Sequence, residues 1–201
     1  DLELHEGLHA YTHGAMKESL RHIVGVQFRN CATVGGSIWG RFGFSDVLTM
    51  FLALDTEVEL FKGGRVCLWD FVKMPKDRDI LVHIIVKKTP IKTAYLSQRN
   101  TKTDFPVLAC CVSMSEDGMK AVYGARPSKA FLLEDEENIL KDVQTLSEEE
   151  KKEAYEKFAD YAARKVPTSG NMRGSAKYRT LLVKVLTRRA LEAVGGMSDE
   201  N

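Results

Sequence analysis

The first part of the chain alternates between helical and extended patterns of apolar residues. In residues 14–25 four apolar side chains recur at helical spacing and predict a short amphipathic helix: Met16, Leu20, Ile23 and Val24. Ser45 is a capping residue for a second predicted helix over residues 46–55. Two strands around a Gly-Gly turn are predicted in residues 56–69, and a further strand in residues 79–88.

The pattern changes beyond Pro90, which lies in a segment typical of a linker. Three strands are predicted there, and their economical arrangement is an antiparallel sheet: AYLSQRN, PVLACCVSMS and MKAVYGARP. Three helices follow, of which the first is short and acidic and comprises EDEENILKD. The second begins at a capping box of Ser147 and Glu150, and Ser175 caps the third. One side of the last helix carries apolar residues: Tyr178, Leu181, Leu182, Val185 and Leu186.

These elements predict an α+β fold in two parts. The first part comprises residues 1–88 and mixes helices with strands. The second comprises residues 91–196 and has a three-stranded antiparallel sheet and three helices.

Composition and charge narrow the class of protein. The formal net charge is +1 over 201 residues with both signs interspersed, so no broad basic surface indicates a nucleic-acid or membrane partner. The four cysteines show no Cys-x-x-Cys spacing, and they indicate neither a disulfide framework nor a metal cluster. We expect no secretory signal and no membrane span, because no apolar run is long enough. A reducing, cytoplasmic location fits this pattern best.

Residues 4–9, LHEGLH, contain the string H-E-x-x-H. On a helix this string can present two imidazoles to zinc and a glutamate to a water molecule. A zinc-dependent hydrolase that uses His5, Glu6 and His9 is therefore an alternative hypothesis. However, Gly7 weakens such a helix by roughly 0.5–1 kcal/mol, and His13 does not complete the longer three-histidine signature. We expect these histidines to be exposed.

The stretch RNCATVGGSIWGRFGFSD, residues 29–46, is the most informative for chemistry. Two adjacent glycines after a strand-like Ala-Thr-Val allow consecutive backbone N–H groups to face an anion. Thr33 and Ser37 add hydroxyl donors on either side, and the carboxylate of Asp46 can accept hydrogen bonds from ligand hydroxyls. This pattern suits a cofactor with phosphate and sugar groups, and a plain Gly-Gly turn is the alternative.

Extended to residue 60, the same stretch resembles the second FAD-binding segment of the flavoprotein subunit of molybdenum hydroxylases, the group of xanthine dehydrogenase and aerobic carbon monoxide dehydrogenase. Its usual form there is close to R-N-x-A-T-I-G-G-N, followed by an Asp at the matching distance. Residues 173–191, RGSAKYRTLLVKVLTRRAL, are similar to the last helix of that subunit, where R-x-S-x-x-Y-R precedes an apolar helix ending in R-R-A-L. The two matches stand in the family's order and cover most of residues 15–195.

The resemblance implies both a fold and a role. The fold is the second subdomain of a p-cresol methylhydroxylase-type FAD-binding domain, followed by a small α+β C-terminal domain. The role is electron transfer, in which FAD takes electrons from an iron–sulfur partner and passes a hydride to NAD. The iron–sulfur clusters and the molybdenum cofactor, whose molybdopterin subunit hydroxylates the substrate, are expected in partner subunits.

The resemblance also implies site residues. Asp46 would bind a cofactor hydroxyl, and the FAD would be lined beside its pyrophosphate and ribityl chain by Thr33, Val34, Gly35, Gly36 and Ser37. The strand over residues 79–88 would run along the isoalloxazine, which points to Ile80 or Leu81. Asp104 and Phe105, in the loop SQRNTKTDFPV, would shape the access of NAD.

The sequence departs from the family pattern at several places. Ser37 replaces the usual Asn after Gly-Gly, and Leu96 falls where xanthine dehydrogenases often have Lys. The segment WGRFGF, residues 39–44, is bulkier than usual. We also expect the family's first FAD-binding subdomain, which would precede residue 1, to be absent from this chain. A flavin-free interaction module is therefore a third hypothesis.

Overall fold

The computed structural model describes residues 1–116 and 118–196. In the first part, a 3-10 turn at Leu2–Leu4 precedes five short helices, which are α1 (Glu6–Tyr11), α2 (Ala15–Leu20), α3 (Val26–Cys31), α4 (Val34–Trp39) and α5 (Asp46–Leu52). Strands β1 (Thr56–Leu60) and β2 (Gly64–Cys67), a one-turn helix α6 (Leu68–Phe71) and strand β3 (Leu81–Val86) follow. The three strands form an antiparallel sheet in the order β2-β1-β3.

A second antiparallel sheet and two long helices form the rest of the chain. The strands are β4 (Ile91–Gln98), β5 (Leu108–Ser115), β6 (Gly118–Gly124) and β7 (Phe131–Glu134), and their order in the sheet is β4-β5-β6-β7. Helices α7 (Glu148–Lys165) and α8 (Ala176–Gly195) come after a 3-10 turn at Val143–Thr145. The α+β class and the antiparallel pairing are confirmed. None of the helices in the described residues is long and apolar enough to cross a membrane.

The four-stranded sheet is covered on both faces. On one face Cys110, Val112 and Tyr123 join the apolar cluster formed by α7 and α8. On the other face Cys111 and Val122 join the cluster that contains α2 and α5. Because successive strand residues point to opposite faces, an unbroken apolar run such as that of β5 is what a strand buried on both sides requires. The sheet is therefore the layer that joins the two parts of the chain.

The capping residues predicted from the sequence occupy helix starts. The side chain of Ser45 accepts a hydrogen bond from the backbone N–H of Leu48, and that of Ser175 accepts one from Tyr178. Ser147 and Glu150 form a complete capping box at the start of α7. Each cap satisfies an amide that has no acceptor within the helix, so these local signals define the helix starts.

The segment around the glycine pair is helical, and the prediction of an extended Ala-Thr-Val strand is wrong. Arg29 lies in α3, and the two glycines lie in the first turn of α4. Extended backbone is found at Ala32 and at Thr33, which is the N-cap residue of α4. The Thr33 hydroxyl accepts from the Gly36 N–H at 3.0 Å. This cap satisfies a backbone amide that a neighbouring strand would otherwise have to satisfy.

The predicted numbers of strands and of helices in the second part of the chain are both wrong. The sheet has a fourth strand, β7, because residues 131–134 pair with β6 at the edge of the sheet. The short acidic helix over residues 134–142 does not form, which leaves two long helices and a 3-10 turn. Asn138 and Asp142 have φ values of 53° and 55°, which an α-helix excludes. Instead, the Asp135 carboxylate accepts from two backbone N–H groups in a compact turn.

Two predicted helices differ from their patterns. One is shorter than predicted, and the other buries a different side. The helix expected over residues 14–25 ends at Leu20, and Val24 is exposed. On α8, Tyr178 and Leu181 are exposed, whereas Arg179 is completely buried. The Arg179 guanidinium donates to the carbonyl oxygens of Val107, Ser169 and Gly174, so the loop before α8 and the residue before β5 determine which side of α8 turns inward.

Candidate functional site

The first turn of α4 lies beside the start of β3. A Cβ atom on Gly36 would lie 2.9 Å from the Thr33 Oγ1, so the cap of the helix requires a glycine at this position. A Cβ atom on Gly35 would lie 3.6 Å from the Leu81 Cδ2, which is an ordinary contact. The fold therefore does not require Gly35 to lack a side chain. Because the first amides of a helix have no acceptor within it, this end of α4 offers backbone donors to a ligand.

Ser37, the fourth residue of α4, lines a cavity of about 260 Å³, here called the front cavity. It brings together four of the residues predicted from the sequence: Ser37, Asp46, Asp104 and Phe105. Thr33, Gly35 and Gly36 belong to the adjoining turn of α4, and Leu81 lies against Gly35. Val34 is placed apart from them, because it lines a different cavity together with Leu2, Phe51 and Ile84.

Asp46 is buried in the wall of the front cavity. Its Oδ1 accepts hydrogen bonds from the Tyr95 hydroxyl and from the Arg99 guanidinium, both at 2.5 Å. Burial raises the pKa of Asp46, and the neighbouring Arg99 and Tyr95 oppose that rise. Burial beside this carboxylate also raises the pKa of the Tyr95 phenol well above its ordinary value. Asp46 thus has two partners in the protein, and its contact with a cofactor hydroxyl stays a prediction.

Arg99 connects this buried pair to the loop of residues 99–107. Its guanidinium donates to Asp46 on one side and to the backbone oxygen of Asp104 on the other, the latter at 2.6 Å. The Asp104 carboxylate in turn pairs with Arg173 at 3.0 Å and accepts from the Phe105 N–H at 2.7 Å. The hydrogen bond from Arg173 lowers the pKa of Asp104. A continuous chain of charged contacts therefore runs along this side of the cavity.

Three phenylalanine rings form the wall between the front cavity and a second one. Phe42 and Phe44 are stacked with their centroids 5.2 Å apart, and Phe44 and Phe105 meet at 4.6 Å. All three also line a cavity of about 370 Å³ that reaches Ser128 and Arg173, here called the rear cavity. The bulky WGRFGF segment that departs from the family pattern supplies two of these rings.

His22 lines the front cavity, and sequence reasoning gave no indication of it. Its Nε2 accepts from the Arg21 guanidinium at 2.9 Å. Burial and the charge of Arg21 lower the pKa of His22, which favours the neutral form of the ring. The Nδ1 of His22 is buried without a partner among the described residues. An unpaired ring nitrogen, the first amides of α4 and aromatic walls fit a ligand that has both anionic and planar aromatic groups.

Sequence reasoning also missed Tyr95, Arg99 and Arg173. The signal that could have found the first two is strand periodicity, because Tyr95 and Arg99 are four residues apart at the end of a predicted strand and share one face. Arg173 is the first residue of the motif R-x-S-x-x-Y-R, which assigns it no role. Its proximity to Asp104 depends on two loops that are 69 residues apart, which no local pattern reveals.

The H-E-x-x-H string does not assemble a zinc site. His5 is the N-cap residue of α1, and its Nδ1 accepts from the Leu8 N–H. The His9 Nε2 lies 3.1 Å from the Leu2 carbonyl oxygen. In residues 1–116 and 118–196 no group of three or more His, Cys, Asp or Glu side chains is placed to hold a metal ion. The imidazole of His5 caps the start of α1, and this explains its position.

Two family models match the chain, one after the other. Residues 3–89 match the FAD binding domain in molybdopterin dehydrogenase, and residues 93–194 match the CO dehydrogenase flavoprotein C-terminal domain. The uncharacterized protein YgfM of Escherichia coli is 32% identical over 124 residues, which are 61% of this chain and 48% of that protein. The chain therefore spans about half the length of the curated relatives it matches.

Solved structures share the fold at low sequence identity. Quinoline 2-oxidoreductase from Pseudomonas putida 86 superposes with a TM-score of 0.79 at 16% identity, over 96% of this chain and 70% of that one. Carbon monoxide dehydrogenase from Hydrogenophaga pseudoflava gives 0.74 at 20% identity, over 93% and 69%. Because the second family model alone covers half of the sequence, the chain belongs to the family of FAD-binding flavoprotein subunits of molybdopterin dehydrogenases, of the CO dehydrogenase type.

Proposed function

We propose that the protein is the FAD-binding electron-transfer component of a molybdenum hydroxylase of the xanthine dehydrogenase type. Its proposed partners are an iron–sulfur subunit, which delivers electrons, and a molybdopterin subunit, which hydroxylates the substrate. NAD is the proposed electron acceptor. The observation that carries the proposal is the convergence of Ser37, Asp46, Asp104 and Phe105 in one cavity, which α4 borders through Ser37.

The residues at this site would divide the cofactor between them. The first amides of α4, with the Thr33 and Ser37 hydroxyls, would hold phosphate and ribityl oxygens. The phenylalanine wall of the cavity would face planar apolar surface, and Leu81 would contact the cofactor from the side of Gly35. FAD, when bound, supplies the chemistry of accepting electrons and donating a hydride. Arg99 keeps a positive charge beside Asp46 and Asp104, which fixes the polar side of the cavity.

We also propose a functional division of the chain. Residues 1–88 would carry the contacts to the phosphates, and residues 91–196 would close the cavity through Asp104 and Phe105. The two exposed free cysteines, Cys31 and Cys67, fit a reducing compartment, and we propose a cytoplasmic location.

The purified protein tests the proposal directly. Uptake of one FAD per chain should give absorption maxima at roughly 370 and 450 nm. NADH added without oxygen should bleach the second band, because it donates a hydride to the flavin if NAD is the physiological acceptor. Bound FAD that NADH does not bleach would contradict NAD as the acceptor. A colourless chain that takes up no FAD would favour the interaction module, and stoichiometric zinc would favour the hydrolase.

A further inference from the structure

Phe105 occupies an unusual place, because it belongs to the walls of both cavities. Its ring is half-exposed and leans on Phe44 at 4.6 Å with an angle of 60° between the planes. The residues before it in the loop, 100–103, are all exposed. The loop therefore has little apolar contact of its own, and the position of Phe105 depends on the few polar groups that hold the loop at its end.

Arg173 is the side chain that contacts both Phe105 and its neighbour. Its Nε and Nη2 donate to the Asp104 carboxylate at 3.2 and 3.0 Å. The guanidinium carbon lies 5.2 Å from the centroid of the Phe105 ring, within the range of a cation–π contact. The same carboxylate accepts from the Phe105 N–H. One arginine thus fixes the ring of Phe105 and, through Asp104, the backbone that carries it.

The arginine itself is held in place by backbone contacts. The Arg173 N–H donates to the Asn171 side chain, and the Asn100 side chain donates to the Arg173 carbonyl oxygen. These bonds do not use the guanidinium, so a substitution of the side chain leaves them intact. The side chains of Arg173 and Asp104 are each 28% exposed, and loss of the pair should affect the loop more than the global fold.

We propose that Arg173 is a positioning residue that holds Phe105 across the mouth of the front cavity and thereby limits the approach of electron acceptors to a flavin bound there. The inference rests on the proposed function, since it concerns access to that flavin. It goes beyond that function because it assigns the restriction to a residue of the loop before α8. Without the guanidinium, Phe105 leaves Phe44 more often, and the mouth opens.

The test compares Arg173→Gln with Arg188→Gln as a matched control. Arg188 is also a partly exposed arginine in ion pairs, but these pairs are with Glu156 and Glu192 on the helices away from the cavity. In the FAD-free protein, tryptic cleavage after Lys102 reports opening of the loop. Arg173→Gln should raise this cleavage rate about three- to tenfold, and Arg188→Gln should leave it unchanged. Equal rates in the two variants would overturn the inference.

A second readout uses the protein loaded with FAD. Arg173→Gln should raise the second-order rate of flavin reoxidation by a small acceptor, ferricyanide, by a similar factor, with the FAD dissociation constant within about twofold of wild type. Unchanged reoxidation together with normal FAD binding would overturn the inference and leave the proposed function standing. Failure of every variant to bind FAD would instead overturn the proposed function and, with it, the part of the inference that concerns the flavin.

Two further variants guard against a trivial loss of folding. Asp104→Asn removes the same ion pair from the other side, and the effect of the double variant should be smaller than the two single effects combined, because both single variants lose that pair. Arg173→Lys keeps the charge but loses the paired, planar geometry, and it should fall between wild type and Arg173→Gln. Additive effects in the double variant would contradict a shared role.

Discussion

The substitution Gly35→Ala separates what the fold needs from what the proposed cofactor needs. Gly35 has no left-handed φ, and the added methyl group would meet the Leu81 Cδ2 at an ordinary 3.6 Å. Alanine is the better helix former, so the free energy of unfolding should rise by up to about 0.5–1 kcal/mol. The fold does not explain why this position is a glycine, whereas the proposed approach of FAD to the backbone would explain it.

The cost should therefore appear in binding. A methyl group in the first turn of α4, beside the amides proposed to hold phosphate, should raise the FAD dissociation constant at least about tenfold, or about 1.4 kcal/mol. Gly36→Ala should also weaken FAD binding, but unlike Gly35→Ala it should lower the free energy of unfolding. Its methyl group would lie 2.9 Å from the Thr33 Oγ1, and turning that hydroxyl away removes a helix cap worth about 0.5–2 kcal/mol.

A matched control is available at Gly7, which lies in the first turn of α1. A Cβ atom there would be 3.5 Å from the His5 ring, so Gly7→Ala is the same change in a similar setting away from the cavity. Urea denaturation of the FAD-free proteins gives the stabilities, and quenching of flavin fluorescence gives the dissociation constants. If Gly35→Ala binds FAD as tightly as Gly7→Ala, the reasoning that places the cofactor at α4 is refuted.

Three further predictions concern the fold. Arg179→Met leaves three carbonyl groups without their donor and should lower the free energy of unfolding by at least about 3 kcal/mol. A loss under about 1 kcal/mol, measured by urea denaturation, would show that water replaces the guanidinium. Gly124→Ala would place a Cβ atom 2.3 Å from the Thr49 Oγ1 and should cost about 1–3 kcal/mol, partly recovered in the double variant with Thr49→Ala, as thermal unfolding would show. Burial raises the pKa of the Cys110 thiol to about 12, so its reactive thiolate is scarce at pH 8. A thiol reagent should therefore modify only the two exposed cysteines of the folded protein, Cys31 and Cys67. Reaction of a third cysteine without unfolding would contradict the burial of the sheet.

The sequence predicted what depends on neighbours along the chain. Ser45, Ser147 and Ser175 each stand directly before a helix, because a cap acts on amides two or three residues away. The strands of both sheets, apart from β7, were found from their apolar runs. Strand β7 has four residues, which is too short for a pattern to distinguish it from a loop.

What the sequence could not show depends on distant segments. Arg179 lies on the buried side of α8 because three loop carbonyls converge on it, and no periodicity within the helix can indicate them. For the same reason the exposed Leu181 was assigned to the core. The sequence predicts a strand before the glycine pair, because a short apolar run fits a strand as well as a helix. Thr33 is a good N-cap residue and is the signal that favours the helix.

The site depends on the register of a strand from the other part of the chain. Tyr95 reaches Asp46 from β4, whereas its neighbour Ala94 faces the cluster with α7 and α8. The pairing of Tyr95 with Cys111 fixes this choice, and a slip of one residue would turn the phenol away and leave the buried Asp46 with one partner fewer. Since both faces of the sheet are packed, the same slip would also exchange side chains between the two cores, and Tyr95 would enter the cluster with α7 and α8 where the smaller Ala94 now fits. The packing of α7 and α8 therefore helps to fix the hydrogen bond at the cavity wall, although Tyr95 points to the opposite face of the sheet.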